Sequence, residues 1–319
     1  MSKGKIIVGI HGLGNKPPKD ILSSWWKAAI IEGLKKNNFD TADFDFEMAY
    51  WADVLNEEPL NPAEANSSHS HYVYEKYLPE GEQNKEEDPV KLKQKATDYL
   101  EKYYGKFLIN EIISLKHPTL TDAFVYFNLR ELKIYFSLLK GKYSREERLA
   151  REVMMSRFIE ILRRNKGKEI LIIAHSMGAI IAHDVLLEID SDISIETLIT
   201  IGSPLGQQYI VKNYQQESEK KRNDKFITPP SIKKAWYNYS DKYDLVAIEH
   251  FLGETYKENE NKVKVVDQLV NNDYIIAGYK NPHTAFGYLR TGEVANNINE
   301  FLQHKKTNLF SFIKLKHTS

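Results

Sequence analysis

The stretch Ala174-His175-Ser176-Met177-Gly178 constrains this chain more than any other. Ahead of it runs Glu169-Ile170-Leu171-Ile172-Ile173, short, apolar and rich in β-branched residues. Behind it, Ala179-Ile180-Ile181-Ala182-His183-Asp184-Val185-Leu186-Leu187 has the apolar spacing of a helix. A buried strand that turns directly into a helix leaves little space around the turn. Small residues on both sides let a serine sit there with its Oγ above the sheet and a helix N-terminus behind it. Ala174 occupies the first of these positions where glycine is commoner, and a methyl group still fits. The bland alternative is an ordinary strand-to-helix turn capped by serine. The strand before and the helix after favour the raised serine.

Composition sets the frame for that turn. The 319 residues, 42% apolar and 12% aromatic, suffice for one large α/β domain with an insertion, or for two domains. Formal net charge is zero, so no nucleic-acid-binding surface is expected. The absence of cysteine excludes disulfides, thiolate metal sites and a cysteine nucleophile. The apolar segment after Met1 is too short for a signal-peptide core, and no stretch approaches a membrane span. A cytoplasmic location is expected, with export by a route lacking a cleavable signal left open.

Along the chain, Ile6-Ile7-Val8-Gly9-Ile10 reads as a buried parallel strand that empties into His11-Gly12-Leu13-Gly14-Asn15. Residues 20–38 have helical spacing, with Trp25, Trp26, Ile30 and Leu34 as packing residues, and 44–51 read as a second strand. From 56 to 144 the pattern changes. Its first part reads as loop with little regular structure, while 90–115 and 121–139 read as aromatic-rich helices. This region is expected to be a helical cap inserted between core segments 1–55 and 145–304. A helical subdomain without functional role is the plainer reading. Residues 145–165 read as a long amphipathic helix, 195–201, 234–239 and 263–267 as strands, and 291–303 as the last helix. The polar stretch 215–230 is expected to be a mobile, solvated loop. The basic, apolar tail 305–319 is expected to dock locally or fray, with membrane-surface contact as the weaker reading. Strands alternating with helices predict an open, mostly parallel sheet of about six strands.

In such a sheet the ligand site lies beyond the C-terminal strand ends. Ser176 follows one strand; Asp241 and Asp244 follow another; His283, after Asn281-Pro282, follows the last. A serine hydroxyl needs a base to take its proton, and the base needs a third group to fix its tautomer. Of ten histidines, His283 has the best context, with His250 in reserve. His175 is expected to point away from Ser176, and His183 to be a packing residue. His69 and His71 lack a third ligand for a metal, and His117, His304 and His317 have no supporting context. Asp244 is the favoured acid because the chain turns back towards the core there, with Asp241 as the alternative. The order Ser176, Asp244, His283 suits this architecture.

With these residues in view, the chain resembles the α/β-hydrolases. Its Ala174-His175-Ser176-Met177-Gly178 is similar to the turn of small bacterial lipases that carry alanine at the first position. His11-Gly12-Leu13-Gly14 resembles the oxyanion loop of lipases and esterases, and Gly202-Ser203-Pro204 a segment that lines their pocket floor. The resemblance covers most of 5–51 and 150–303, not the insertion, and begins at the family's third strand. It implies backbone N–H groups of Leu13 and Met177 as the oxyanion hole, and His11, Gly12, Gly202, Ser203 and Pro204 around the substrate.

These readings converge on a serine hydrolase of carboxylic esters, acting through an acyl-enzyme on a small-molecule or lipid-like substrate. An amidase or peptidase using the same triad stays open, as does a non-catalytic binding protein on a hydrolase fold. No metal or cofactor is expected, since the three spaced glycines of a dinucleotide site are missing after the first strand. Nothing in the pattern fixes an oligomeric state.

Overall fold

Strand β1 (Lys5–Ile10) pairs in parallel with β2 (Asp45–Ala49) on one side and β3 (Glu169–His175) on the other. Beyond β3 the sheet continues through β4 (Ile195–Ile201), β5 (Ile232–Asp241) and β6 (Val265–Val270). The spatial order is β2-β1-β3-β4-β5-β6 and every pairing is parallel. This is the six-stranded α/β-hydrolase-type sheet that the sequence leads one to expect. A short antiparallel ribbon of β7 (Ile275–Ile276) and β8 (Tyr279–Lys280) precedes His283. The computed structural model describes residues 4–41, 43–66, 69–83, 132, 134–136, 145–221, 224–244, 246–247, 249–276 and 279–303.

Alternate residues of each central strand feed two cores. Ile6, Val8 and Ile10, with Ile170, Ile172 and Ala174, face one; Ile7, Leu171, Ile173, Ile199 and Ile201 face the other. That is why these strands read as unbroken apolar runs instead of alternating ones. Helices α1 (Lys19–Lys36), α5 (Ala285–Leu289) and α6 (Gly292–Gln303) cover the second face. Helices α2 (Arg145–Arg164), α3 (Met177–Glu188) and α4 (Gln208–Lys221) cover the first. Residues Met177 to Leu186 of α3 are all buried, so this helix is packed on every side.

Some expectations need correction. Residues 215–221 belong to helix α4 rather than to a loop, and Lys225 is only 1% exposed. The short helix α5 was not legible at all, because five residues give no usable period. Strand β5 begins at Ile232, and β6 begins at Val265, two residues later than the sequence spacing placed it. Of the insertion, 56–66 and 69–83 are irregular apart from one 3-10 turn, Glu80–Glu82, and an isolated bridge between Asn61 and Tyr72. They are nevertheless anchored: Leu60, Val73 and Gln83 are buried. The helix expected at 90–115, most of that at 121–139 and the tail 305–319 lie outside the described residues. Among the described residues, no helix is long and apolar enough to cross a membrane.

Lys225 is buried because acids wait for it. Asp184, on α3 and fully buried, accepts hydrogen bonds from Lys225 Nζ (3.1 Å), Arg151 Nη2 (2.7 Å) and Tyr135 OH (2.7 Å). Arg151 Nη1 reaches Glu217 Oε1 at 2.7 Å. Burial by itself raises the Asp184 pKa, but Arg151 and Lys225 outweigh it and hold the carboxyl well below the usual range. The cluster ties α2, α3, α4 and Tyr135 of the insertion together behind the serine-bearing turn. Asp184→Asn would leave two buried cations short of a counter-charge, and should cost about 3–5 kcal/mol in denaturant unfolding at neutral pH. A depressed native pKa gives stability that is whole above the ordinary value of 3.8 and is lost as pH falls below it. The stability gap between wild type and Asp184→Asn should therefore narrow in acid. An unchanged gap would remove Asp184 from the accounting.

Candidate active site

The sheet register sets the level at which the site is built. Ile10 lies opposite Ala174, Ala174 opposite Thr200, and Thr200 opposite Asn238. The loops after β1, β3, β4 and β5 therefore leave the sheet side by side. Between β3 and α3, Ser176 has φ 53° and ψ −128°, a conformation that residues with a Cβ rarely adopt. Its N–H donates to Ile201 O at 3.1 Å, which fixes the turn to the next strand. Room for it comes from its neighbours. A Cβ on Gly178 would sit 2.6 Å from Ile10 O, and one on Gly12 would sit 2.6 Å from Ser176 Cβ.

Ser176 Oγ lies 3.1 Å from His283 Nε2. His283 Nδ1 lies 3.0 and 2.9 Å from the two oxygens of Asp244. The carboxylate can only accept, so Nδ1 carries the proton and Nε2 presents its lone pair to the hydroxyl. Asp244 is fully buried; Tyr288 OH donates to its Oδ2 at 2.7 Å and Val246 N–H to its Oδ1 at 2.9 Å. Asp241 has other partners: its oxygens accept from the N–H groups of Tyr243 (2.8 Å) and Asn272 (2.7 Å), with Lys280 Nζ 3.8 Å away. It holds the turn, and Asp244 meets the histidine.

The base loop, which carries His283, is held by backbone bonds from Asn281 N–H to Tyr274 O and Thr284 N–H to Asn281 O, and by side chains. Asn281 Oδ1 accepts from His283 N–H at 3.1 Å, and Asn272 Nδ2 donates to Pro282 O and Thr284 O, both at 2.9 Å. Behind the Asp244–His283 pair stands Gly202, with φ +54°; a Cβ there would lie 2.9 Å from Asp244 Oδ2 and 3.1 Å from His283 Nδ1. Gly202, Ser203 and Pro204 are buried, and Ser203 Oγ accepts from Leu205 N–H at 3.3 Å. Of this segment, expected to line the pocket floor, Gly202 lies against Asp244 and His283.

His11 is a buried anchor of the loop after β1. Its Nδ1–H donates to Gly12 O at 2.8 Å, and Nε2 accepts from Trp51 N–H at 3.0 Å. The indole of Trp51 stacks on the ring and donates to His11 O. Burial, with Lys16 nearby, pushes the His11 pKa down to about 3, so the ring is neutral. Lys16 Nζ donates to Leu13 O and holds the same loop from the other side. His11, Lys16, Trp26, Val73, His175 and Phe286 share a small cleft that brings together the oxyanion-like loop, the insertion, the serine turn and the base loop.

Two residues with a place in this arrangement escaped the sequence reading. Tyr288 OH accepts from Asp241 N–H at 2.8 Å while donating to Asp244, and so joins the two aspartates. His175, expected only to turn from Ser176, has its Nε2 2.7 Å from His283 O. His183 is buried against Tyr214, Trp236 and Tyr256, a packing residue as read. His250 belongs to another loop, whose carbonyl accepts from Asn238 Nδ2. His69 and His71 face Glu64 and Glu58, and among the described residues no group of three possible ligands could hold a metal ion.

Among known proteins, the family model described as PGAP1-like alpha/beta domain matches residues 104–263. That span includes Ser176 and Asp244. No curated protein matches the chain. Among solved structures, the chain is similar to an uncharacterized protein from Bacillus cereus, at 11% identity and a TM-score of 0.32. The match covers 95% of this chain, which spans 60% of the length of that one. Since the family model takes in half of the 319 residues, the chain belongs to the PGAP1-like alpha/beta domain family, whose fold is of the α/β-hydrolase kind.

Proposed function

We propose that this protein is a serine hydrolase of carboxylic esters that works through an acyl-enzyme on Ser176. The observation that carries the reading is the unbroken line of contacts from Ser176 Oγ to His283 Nε2, and from His283 Nδ1 to the buried Asp244. In this scheme Ser176 Oγ attacks the carbonyl carbon while its proton passes to His283 Nε2. Asp244 holds the ring in the required tautomer and stabilises the imidazolium. The tetrahedral oxyanion is stabilised by the N–H groups of Leu13 and Met177. Met177 is the first residue of α3, so its N–H has no carbonyl partner within the helix and sits at the positive end of the helix dipole. As the intermediate collapses, the C–O bond to the alcohol breaks and His283 returns the proton to the leaving oxygen. Water, deprotonated by the same nitrogen, then releases the acid.

The substrate is taken to be a small or lipid-like ester, and a net charge of zero favours no polyanionic partner.

A fluorophosphonate probe should give one covalent adduct, mapped to Ser176 by mass spectrometry. Labelling should vanish in Ser176→Ala and slow by about 10²–10⁴-fold in His283→Ala. An adduct on another serine, or labelling that ignores His283, would overturn the reading. The two aspartates can be ranked on a simple ester. Asp244→Asn should lower kcat by about 10³–10⁴-fold, because it disturbs the tautomer of His283. Asp241→Asn should act mainly on thermal stability. A larger loss of kcat in Asp241→Asn would move the acid's role to that residue.

A further inference from the structure

The serine turn and the base loop meet through one side chain, His175. Its Nε2 lies 2.7 Å from the main-chain carbonyl of His283, and the two rings are 4.7 Å apart at 37°. A carbonyl oxygen can only accept, so His175 carries its proton on Nε2 and is the donor. On the ring's other side, a Cβ on Gly12 would lie 3.0 Å from His175 Nδ1. The imidazole is thus wedged between the loop after β1 and the loop that carries His283.

Three successive carbonyls of the base loop are each taken by a side-chain donor: Pro282 and Thr284 by Asn272, and His283 by His175. Asn272 joins the loop to the segment after β6. The His283 bond joins it to the strand that ends in the nucleophile. Sliding the base loop by an ångström would lengthen the Ser176–His283 contact, and His175 resists that slide from the residue next to Ser176.

We propose that His175 is a positioning residue: its Nε2–H holds the main chain of His283 so that the ring stays between Asp244 and Ser176. This rests on the reading of Ser176 as nucleophile and His283 as its base. Charge fits the role. Burial first, and then the neighbouring His283, keep the His175 pKa well below its ordinary value. A neutral ring can donate to the loop without repelling the imidazolium formed on His283.

The test compares His175→Gln with His175→Met, which have side chains of equal length and differ in the N–H donor. Fluorophosphonate labelling of Ser176 and ester kinetics are measured on each, beside wild type. The Met variant should lose about 10–100-fold in kcat and in labelling rate, the scale expected for a misplaced catalytic group. The loss should fall more on kcat than on KM, because the bond to the His283 main chain places the catalytic ring and not the substrate. The Gln variant should recover most of the loss. Nitrogen-15 imidazole spectra of the wild-type protein should place the His175 proton on Nε2, a readout that stands even where a variant fails to fold. A Met variant within about two-fold of wild type in kcat would overturn the proposal. So would a Gln variant as slow as Met, or a proton on Nδ1. A labelled wild type beside an unaffected Met variant would defeat this inference and leave the chemistry of Ser176 standing. An unlabelled wild type would defeat both.

Discussion

The backbone of Ser176, at φ 53° and ψ −128°, is the constraint on which the rest of this structure turns. Holding a residue with a Cβ in such a region costs on the order of 1–3 kcal/mol, and it persists only where the surroundings over-determine it. Here they do. Strand β3 is paired on both sides, α3 is buried on every face, and the Ser176 N–H is tied to Ile201 O. The buried ion cluster at Asp184 fixes the far part of α3 to α2 and α4. The close approach of Gly12 and Gly178 is what the strained turn requires of its neighbours, because any side chain there would meet Ser176 or the end of β1.

The same constraint decides where the other loops must go. With Ser176 fixed, His283 reaches it on a loop that follows the antiparallel ribbon β7–β8. Side chains hold that loop, and residues 75–83 take part. Glu75 Oε1 accepts from Asn281 Nδ2 at 3.3 Å, close to His283. Tyr274 OH accepts from Leu78 N–H and donates to Lys76 O, while Gln83 Oε1 accepts from Ile275 N–H and Arg290. The start of the insertion is therefore a strap over the segment leading to His283, and not a linker that merely passes by.

What the sequence made legible, and what it concealed, follows from the range of the interactions. Ser176 and Asp244 are legible as candidates because each follows a strand whose apolar run is visible locally, and parallel pairing aligns such ends; His283 instead follows the antiparallel ribbon β7–β8, outside that sheet. Lys225 could not be placed. Its neighbours read as a solvated loop, and its burial depends on Asp184, 41 residues earlier in the chain. Tyr288 lies on a helix too short to show a period. His175 carries a role that its place beside Ser176 does not reveal. Its partner is a backbone carbonyl 108 residues away, which no local pattern announces.

Three histidines crowd this end of the sheet, and burial separates their roles. His11 and His175 are buried and kept neutral, each spending its N–H on a backbone carbonyl. A second imidazolium beside His283 would oppose the charge that the proposed reaction creates there. His283 alone of the three faces a carboxylate, and it keeps part of its surface exposed. Asp244 is directed at that ring by Tyr288 and the Val246 N–H, so the negative charge is presented to one imidazole rather than shared among three. A cluster that looks redundant in composition is thus asymmetric in its contacts: two rings donate to loop carbonyls, and the third lies between a carboxylate and Ser176, where the proposed reaction needs a base.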